Sequence, residues 1–224
     1  MKRAESADLR PPAPVLVVDD HPLVREGLVA RIGAQSDLQV CGEAADADEA
    51  LRLIRLTHPA IAVVDLALRS GSGLELIKRV TESGSGPKML VVSAYDEALF
   101  AERALRAGAQ GYINKQELQG SIIDAIRRVL RGELYLSAAT SQRLAHQALG
   151  GQPRRHGIDA LTDREMQVFS LIGRGHPTRK IAEQLHLSVH TIESHREKIR
   201  SKLELRTGAE LVRNAVLWVL ENTG

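Results

Sequence analysis

The sequence predicts two folded parts: an α/β domain on a five-stranded, doubly wound parallel sheet, then an all-α helix-turn-helix domain. Three observations carry this. Short apolar runs alternate with helically spaced segments up to about residue 130. No strand-like run follows residue 158. Between the two lies a stretch rich in Gly, Pro and Arg, Gly150-Gly-Gln-Pro-Arg-Arg-His-Gly157.

Val15–Asp19 (VLVVD) reads as a buried strand and Leu23–Gly33 as a helix. Strand Leu38–Ala44 and helix Ala47–Leu56 follow, then strand Ile61–Asp65 and a helix containing Leu74–Val80. Lys88–Ser93 and Gly111–Asn114 complete the strands, with helices at Leu99–Leu105 and Leu118–Leu130. The strands are apolar along their length, as in a parallel sheet covered on both faces. The expected arrangement is flavodoxin-like, with ligands at the carboxyl ends of the strands. Beyond Gly132, Ser137 is placed to cap a linker helix, Ala138–Leu149. Thr162-Asp-Arg-Glu165 has the spacing of a capping box and Gly173–Gly175 ends that helix. A helix from Pro177 or Thr178 through Leu185, one capped by Ser188 and running to about Leu203, and a last one over Thr207–Leu220 complete the chain. The expected divisions are a disordered tail at 1–13, an α/β domain at 14–133, a linker at 134–157 and an all-α domain at 158–224.

No apolar run approaches the roughly 18 residues of a membrane span. Met1–Pro14 carries charges and prolines rather than the apolar stretch of a signal peptide. The single cysteine, Cys41, forms no internal disulfide; in its alternating apolar run it reads as a buried structural thiol. These features point to the cytoplasm and to no membrane partner. Residues 1–145 hold 18 Lys+Arg against 19 Asp+Glu, whereas residues 146–224 hold 12 against 9, so the positive balance sits in the all-α part, which suits a polyanion.

Asp19 and Asp20 end the first strand and Asp65 ends the third, so a parallel sheet brings three carboxylates to one edge. They repel unless a cation joins them, and Mg²⁺, which takes oxygen ligands, suits the place. Ser93 ends the fourth strand and Lys115 follows the fifth, adding a hydroxyl and an ammonium. These are the parts that stabilise phosphoryl transfer, and a carboxylate can itself be the nucleophile. A phosphohydrolase with an Asp nucleophile needs a further acid two residues after Asp65, where Ala67 stands; a dinucleotide site needs a glycine run where His21-Pro22 stands. Neither enzyme is expected.

The stretches VLVVDDHPLVREGL, VVDLALRSGSGLELI, MLVVSAYDE and GAQGYINK resemble the receiver domains of response regulators. The resemblance implies that Asp65 accepts phosphate from a histidine kinase. It implies that Asp20 binds Mg²⁺ directly, Asp19 assists through water, and Asp65 and the Ala67 carbonyl complete the protein ligands. Lys115 then pairs with the phosphate, Ser93 takes one of its oxygens, and Tyr112 matches an aromatic switch that turns inward when Ser93 moves. Arg69 and Ser70 stand where many members carry a Pro-Gly turn.

The stretch LTDREMQVFSLIGRGHPTRKIAEQLHLSVHTIESHREKIRSKL resembles the DNA-binding domain of the NarL/FixJ (LuxR-type) family, and the whole order of domains is similar to that family's. Ile192, Ile199 and Leu203 share the inward side of the third helix, with His190, Ser194 and Glu197 opposite. Arg179, Lys198 and Lys202 are candidates for DNA phosphates; Thr191, Glu193, Ser194, His195 and Glu197 are candidates for the groove or backbone. Many relatives carry lysine at Glu193; a glutamate can accept from cytosine or repel the backbone. Pro177-Thr178 replaces a common Ser-Asn pair, leaving Thr178 to cap or to touch a phosphate. Leu211, Ala215, Trp218 and Val219 of the last helix are expected to pack on the recognition helices. Phosphorylation is expected to favour a homodimer that reads two half-sites on double-stranded DNA.

Overall fold

A computed structural model describes residues 11–68, 72–95, 97–148 and 158–223. The chain divides into two compact units, Met1–Ser141 and Gln142–Gly224. The first alternates strands and helices: β1 Ala13–Val18, α1 Pro22–Gly33, β2 Leu38–Ala44, α2 Ala47–Thr57, β3 Ile61–Val64, α3 Gly73–Glu82, β4 Lys88–Ser93, α4 Glu97–Ala107, β5 Gly111–Asn114 and α5 Leu118–Leu130. The strands are parallel and ordered β2-β1-β3-β4-β5. The chain order reverses between β1 and β3, which makes a crevice at their carboxyl ends the natural site.

Alternate side chains of a strand face opposite ways. Val15, Val17, Ile61, Val63, Leu90, Val92 and Ile113 therefore meet α1 and α5 through Leu28, Ile32, Ile122, Ile126 and Val129. Leu16, Val18, Ala62, Val64, Met89, Val91 and Tyr112 fill the other side and are equally buried. The central strands thus have no polar face, which explains their uninterrupted apolar sequence. In β2 only Leu38 and Ala44 are buried and Cys41 is partly exposed, not the buried thiol expected. Ala13, expected in the tail, is drawn into β1 because its amide donates to the Asp37 carbonyl at 2.9 Å. Arg69, Ser70 and Gly71, where the loop sequence departs from the family pattern, lie outside the described residues, as does the whole Gly150–Gly157 stretch.

α6, Ala138–Ala148, begins as expected, with the Thr140 amide donating to Ser137 Oγ at 3.2 Å. The second unit carries α7 Asp163–Gly173, α8 Thr178–Gln184, α9 Val189–Lys202 and α10 Gly208–Thr223. The capping box forms in both directions: the Glu165 amide donates to Thr162 Oγ1 at 3.3 Å and the Thr162 amide to Glu165 Oε2 at 2.7 Å. Ser188 caps α9 by accepting from the Thr191 amide at 3.0 Å. Ile181, Ile192 and Ile199 are fully buried and join α8 and α9 to α7.

α10 packs chiefly against α7 rather than on the recognition helices, with Trp218 and Phe169 ring centroids 5.7 Å apart. The reason is Gly173. A methyl group there would fall on the Ala215 carbonyl oxygen and the Val219 side chain, so only glycine permits this approach. Gly173→Ala forces α10 off α7 at an expected cost of about 1–3 kcal/mol. Trp218 is the chain's single tryptophan; its fluorescence during urea unfolding should show a lowered midpoint, and an unchanged midpoint refutes the close-packing assignment.

Candidate phosphoacceptor site and DNA-binding surface

The two residues immediately after β1 and the one after β3 are acids. Backbone pairing fixes where they sit: the Asp65 amide donates to the Val18 carbonyl at 2.9 Å, and the Asp19 amide to the Ala44 carbonyl at 3.0 Å. Both side chains are buried, 1% and 2% exposed, which decides that they need partners rather than solvent. Lys115, following β5, supplies one: its Nζ lies 2.7 Å from Asp19 Oδ2 and 2.7 Å from Asp65 Oδ2. The other Asp65 oxygen accepts from the Ala67 amide at 3.2 Å. Burial pushes the Asp65 carboxyl above the ordinary carboxylate range, against the pull of Lys115. Burial also works against the Lys115 charge, yet Asp65 and Asp19 hold its ammonium above the ordinary lysine value.

Asp20 adds a third carboxylate, with His21 Nδ1 2.7 Å from its Oδ1. Oxygens of Asp19, Asp20 and Asp65 and a nitrogen of His21 lie within 4.8 Å of one another, the span of a single cation's donor shell. Asp19 Oδ2 faces Lys115 Nζ and Asp20 Oδ1 faces His21 Nδ1, each buried and without an aligned hydrogen bond among the described residues. Hard oxygens of this kind, left over beside one lysine, fit Mg²⁺. Gly73 opens α3 hard against the site: a Cβ there would strike the Asp65 carbonyl and Leu66, so the glycine lets α3 start directly behind the acceptor loop.

Ser93 is fully buried at the end of β4. Its Oγ accepts from the Tyr95 amide at 3.3 Å, and the Tyr95 carbonyl accepts from the Tyr112 hydroxyl at 3.0 Å and from Asn114 Nδ2 at 3.3 Å. Tyr112 is already turned inward, 1% exposed, and not waiting at the surface for Ser93 to move; the Tyr95 carbonyl holds it there. Tyr95 is the link that sequence reasoning missed, although it lies in the quoted MLVVSAYDE stretch. Arg25 was missed as well: one turn into α1, its Nη1 donates to the Asp19 carbonyl at 2.8 Å and steadies the acidic loop.

In the second unit, His190, Glu193, Ser194, Glu197 and Lys198 lie exposed on α9 as the helical spacing predicts. Thr191 is partly covered, its hydroxyl 2.8 Å from Ser188 Oγ. Thr178 neither caps α8 nor stands free; its Oγ1 donates to Glu193 Oε1 at 3.0 Å. His195 is half-buried and its buried Nδ1 has no hydrogen-bond partner among the described residues; burial first, then Lys198 and Arg164, lower its pKa. Arg179 lies on the exposed side of α8 near Glu183, at 3.5 Å. Lys202 does not project freely: its Nζ is 2.7 Å from Glu165 Oε2, so it clamps the end of α9 to the capping box of α7.

Residues 15–127 match the family model described as the response regulator receiver domain, and residues 159–215 that of bacterial regulatory proteins, luxR family. The transcriptional activator protein ExaE of Pseudomonas putida is 34% identical over 205 residues, 90% of this chain and 95% of that one. The transcriptional regulatory protein LiaR of Bacillus subtilis is 33% identical over 195 residues, 85% and 90% of the two chains. The chain belongs to the NarL/FixJ (LuxR-type) response regulators. Among solved structures, a LuxR-family two-component response regulator from Aurantimonas sp. SI85-9A1 is 35% identical, covering 62% of this chain and 99% of that one, with a TM-score of 0.57. RcsB of Salmonella typhimurium, 20% identical, shares the fold over 93% of this chain and 100% of its own, with a TM-score of 0.55.

This response regulator therefore joins a receiver to a LuxR-type DNA-binding domain, the architecture of transcriptional regulators of two-component systems. No described helix is long and apolar enough to cross a membrane. In its DNA-binding unit, Lys202 Nζ lies 2.7 Å from Glu165 Oε2. Burial alone raises a carboxyl's pKa, but the Lys202 ammonium and the Thr162 amide outweigh it and hold Glu165 below its ordinary 4.5. A depressed folded-state pKa contributes stability that is complete above the unfolded value and lost as pH falls through the folded one. Lowering pH from about 7 to about 3 should therefore reduce the urea midpoint reported by Trp218, and Glu165→Gln, which still caps Thr162, should flatten that slope. An equally steep slope in the variant excludes Glu165 as its source.

Proposed function

We propose that Asp65 accepts a phosphoryl group from a sensor histidine kinase and that the change in charge controls transcription through the helix-turn-helix unit on double-stranded DNA. In this reading the receiver spans residues 14–133, the linker 134–157 and the DNA-binding domain 158–224. The observation that supports it best is the pair of 2.7 Å contacts from Lys115 Nζ to Asp19 and Asp65 at the sheet's switch point. An Asp65 oxygen attacks phosphorus, the bond from phosphorus to the kinase histidine breaks, and the imidazole leaves to take a proton from solvent. Lys115 neutralises the charge that arrives, and Ser93 turns its hydroxyl to a phosphoryl oxygen. Asp19, Asp20, Asp65 and the Ala67 carbonyl hold Mg²⁺, which when bound supplies electrostatic stabilisation of the transferred group.

When Ser93 turns, the Tyr95 amide loses its acceptor, and the Tyr95 carbonyl and Tyr112 move with it. This alters the face of the last two βα units and favours a homodimer. The dimer presents two copies of α9 to two half-sites, with Arg179 and Lys198 at phosphates and Thr191, Glu193, Ser194, His195 and Glu197 towards the groove or its rim. Lys202 acts through Glu165 rather than at the DNA. The protein works in the cytoplasm as a regulator, not as an enzyme with a substrate of its own.

A small-molecule phosphodonor with Mg²⁺ should add a single phosphoryl mass to the wild type and none to Asp65→Asn. Sedimentation should show a shift from monomer to dimer in the wild type alone, and DNA affinity should rise with it. Equal DNA affinity with and without the phosphodonor in the wild type overturns the switch.

A further inference from the structure

We infer that Glu193 and Glu197 read cytosine in the DNA half-site by accepting from its N4 amino group. This rests on the reading of α9 as the helix that enters the major groove. Two carboxylates, 52% and 63% exposed, stand four residues apart on the outward side of α9. In a helix that spacing is about 6 Å along the axis and one face. Bare carboxylates carried into a groove between two phosphate backbones are repelled. These are not bare. Arg196 Nε lies 3.5 Å from Glu193 Oε2, and Arg200 donates to Glu197 Oε1 at 3.2 Å. Each acid thus travels with its own cation one turn away, and the pair is close to neutral at the DNA.

The same contacts aim the acceptors. Thr178 reaches across the turn from α8 and donates to Glu193 Oε1 at 3.0 Å, fixing the carboxylate from a second helix. A carboxylate has about four acceptor sites and no donor. Thr178 and Arg196 leave some of those on Glu193 open, and Glu197 Oε2 is opposite its Arg200 contact. Among base edges in the major groove, only adenine N6 and cytosine N4 donate. Adenine sets its N7 acceptor beside the donor, where a second carboxylate oxygen meets repulsion, whereas cytosine presents the amino group without an adjacent acceptor on the same base. Cytosine is therefore the base these two side chains select. The 6 Å between them corresponds to roughly two base-pair steps of 3.4 Å, so the two selected positions lie close together in each half-site.

The test is enrichment of a randomised duplex pool by the full-length protein with phosphodonor and Mg²⁺, comparing wild type, Glu193→Gln, Glu193→Ala and Glu197→Ala. The wild type should enrich cytosine at two nearby positions of each half-site. Glu193→Gln keeps the Thr178 hydrogen bond and gains a donor, so one of those positions should turn from cytosine to adenine. Each alanine variant should lose about tenfold of preference at its own position and keep the rest of the site, which also shows that it is folded. Unchanged base preferences in all variants overturn the inference. So does uniformly tighter binding to every sequence, which would make the glutamates mere repellers of the backbone. If the wild type enriches nothing, the DNA-binding reading itself falls and takes this one with it.

Discussion

The receiver is organised around a shortage of positive charge. Three carboxylates, Asp19, Asp20 and Asp65, meet one ammonium, Lys115, at the carboxyl edge of a parallel sheet, and two of the acids are almost wholly shielded from water. Such a cluster is tolerable only because every member is held. Lys115 bridges two strands, backbone amides take further carboxylate oxygens, and Arg25 anchors the loop between them. The remaining negative charge makes the place receptive to a divalent cation and ties the rest of the fold to it. Strands must end in register, α3 must begin on a glycine, and β5 must deliver its lysine from the far side.

In the proposed phosphorylation, the charge changes next to Lys115 at a point from which hydrogen bonds lead outward. Ser93, Tyr95, Tyr112 and Asn114 form one connected set spanning the ends of β4 and β5. Tyr112 already sits inside, so the ring's position alone does not distinguish two states of this receiver. The Tyr95 amide and carbonyl serve Ser93 on one side and Tyr112 on the other, which makes Tyr95 the link through which the proposed switch would run. A ligand shifts a two-state equilibrium only through contacts that differ between the states, and Tyr95 is where such a difference can arise.

Much of this was legible in the sequence. Alternating apolar and helical periods placed the five βα units, and acids at strand ends with a lysine after the fifth located the cluster, because parallel topology converts strand ends into neighbours. The capping box and the Ser188 cap were readable because they are local. What escaped was tertiary. Nothing in the spacing of Glu165 and Lys202, 37 residues apart, announces a 2.7 Å ion pair, so Lys202 looked like any cation on a basic helix. Cys41 looked buried because its strand alternates, yet only the two ends of that strand, Leu38 and Ala44, are covered. Tyr95 and Arg25 act through backbone atoms of other residues, and such partners leave no mark on composition or period.

Several cations of the DNA-binding part stand beside its own acids. Arg179 lies by Glu183, Arg196 by Glu193, Arg200 by Glu197, and Lys202 is taken by Glu165. Each cation engaged by the protein's own acids counts for less against a phosphate, and affinity for DNA rises with the number of phosphates neutralised. Residues 146–224 carry 12 Lys+Arg against 9 Asp+Glu, a small positive excess, so one copy of this unit has a modest electrostatic hold on a duplex. In the proposed dimer, two copies would double the contacts, and the second would engage at the effective concentration the link provides. A domain with weak non-specific attraction is one whose occupancy can follow dimerisation closely. In the proposed mechanism, this is how a charge added at Asp65 would govern an event on a different domain.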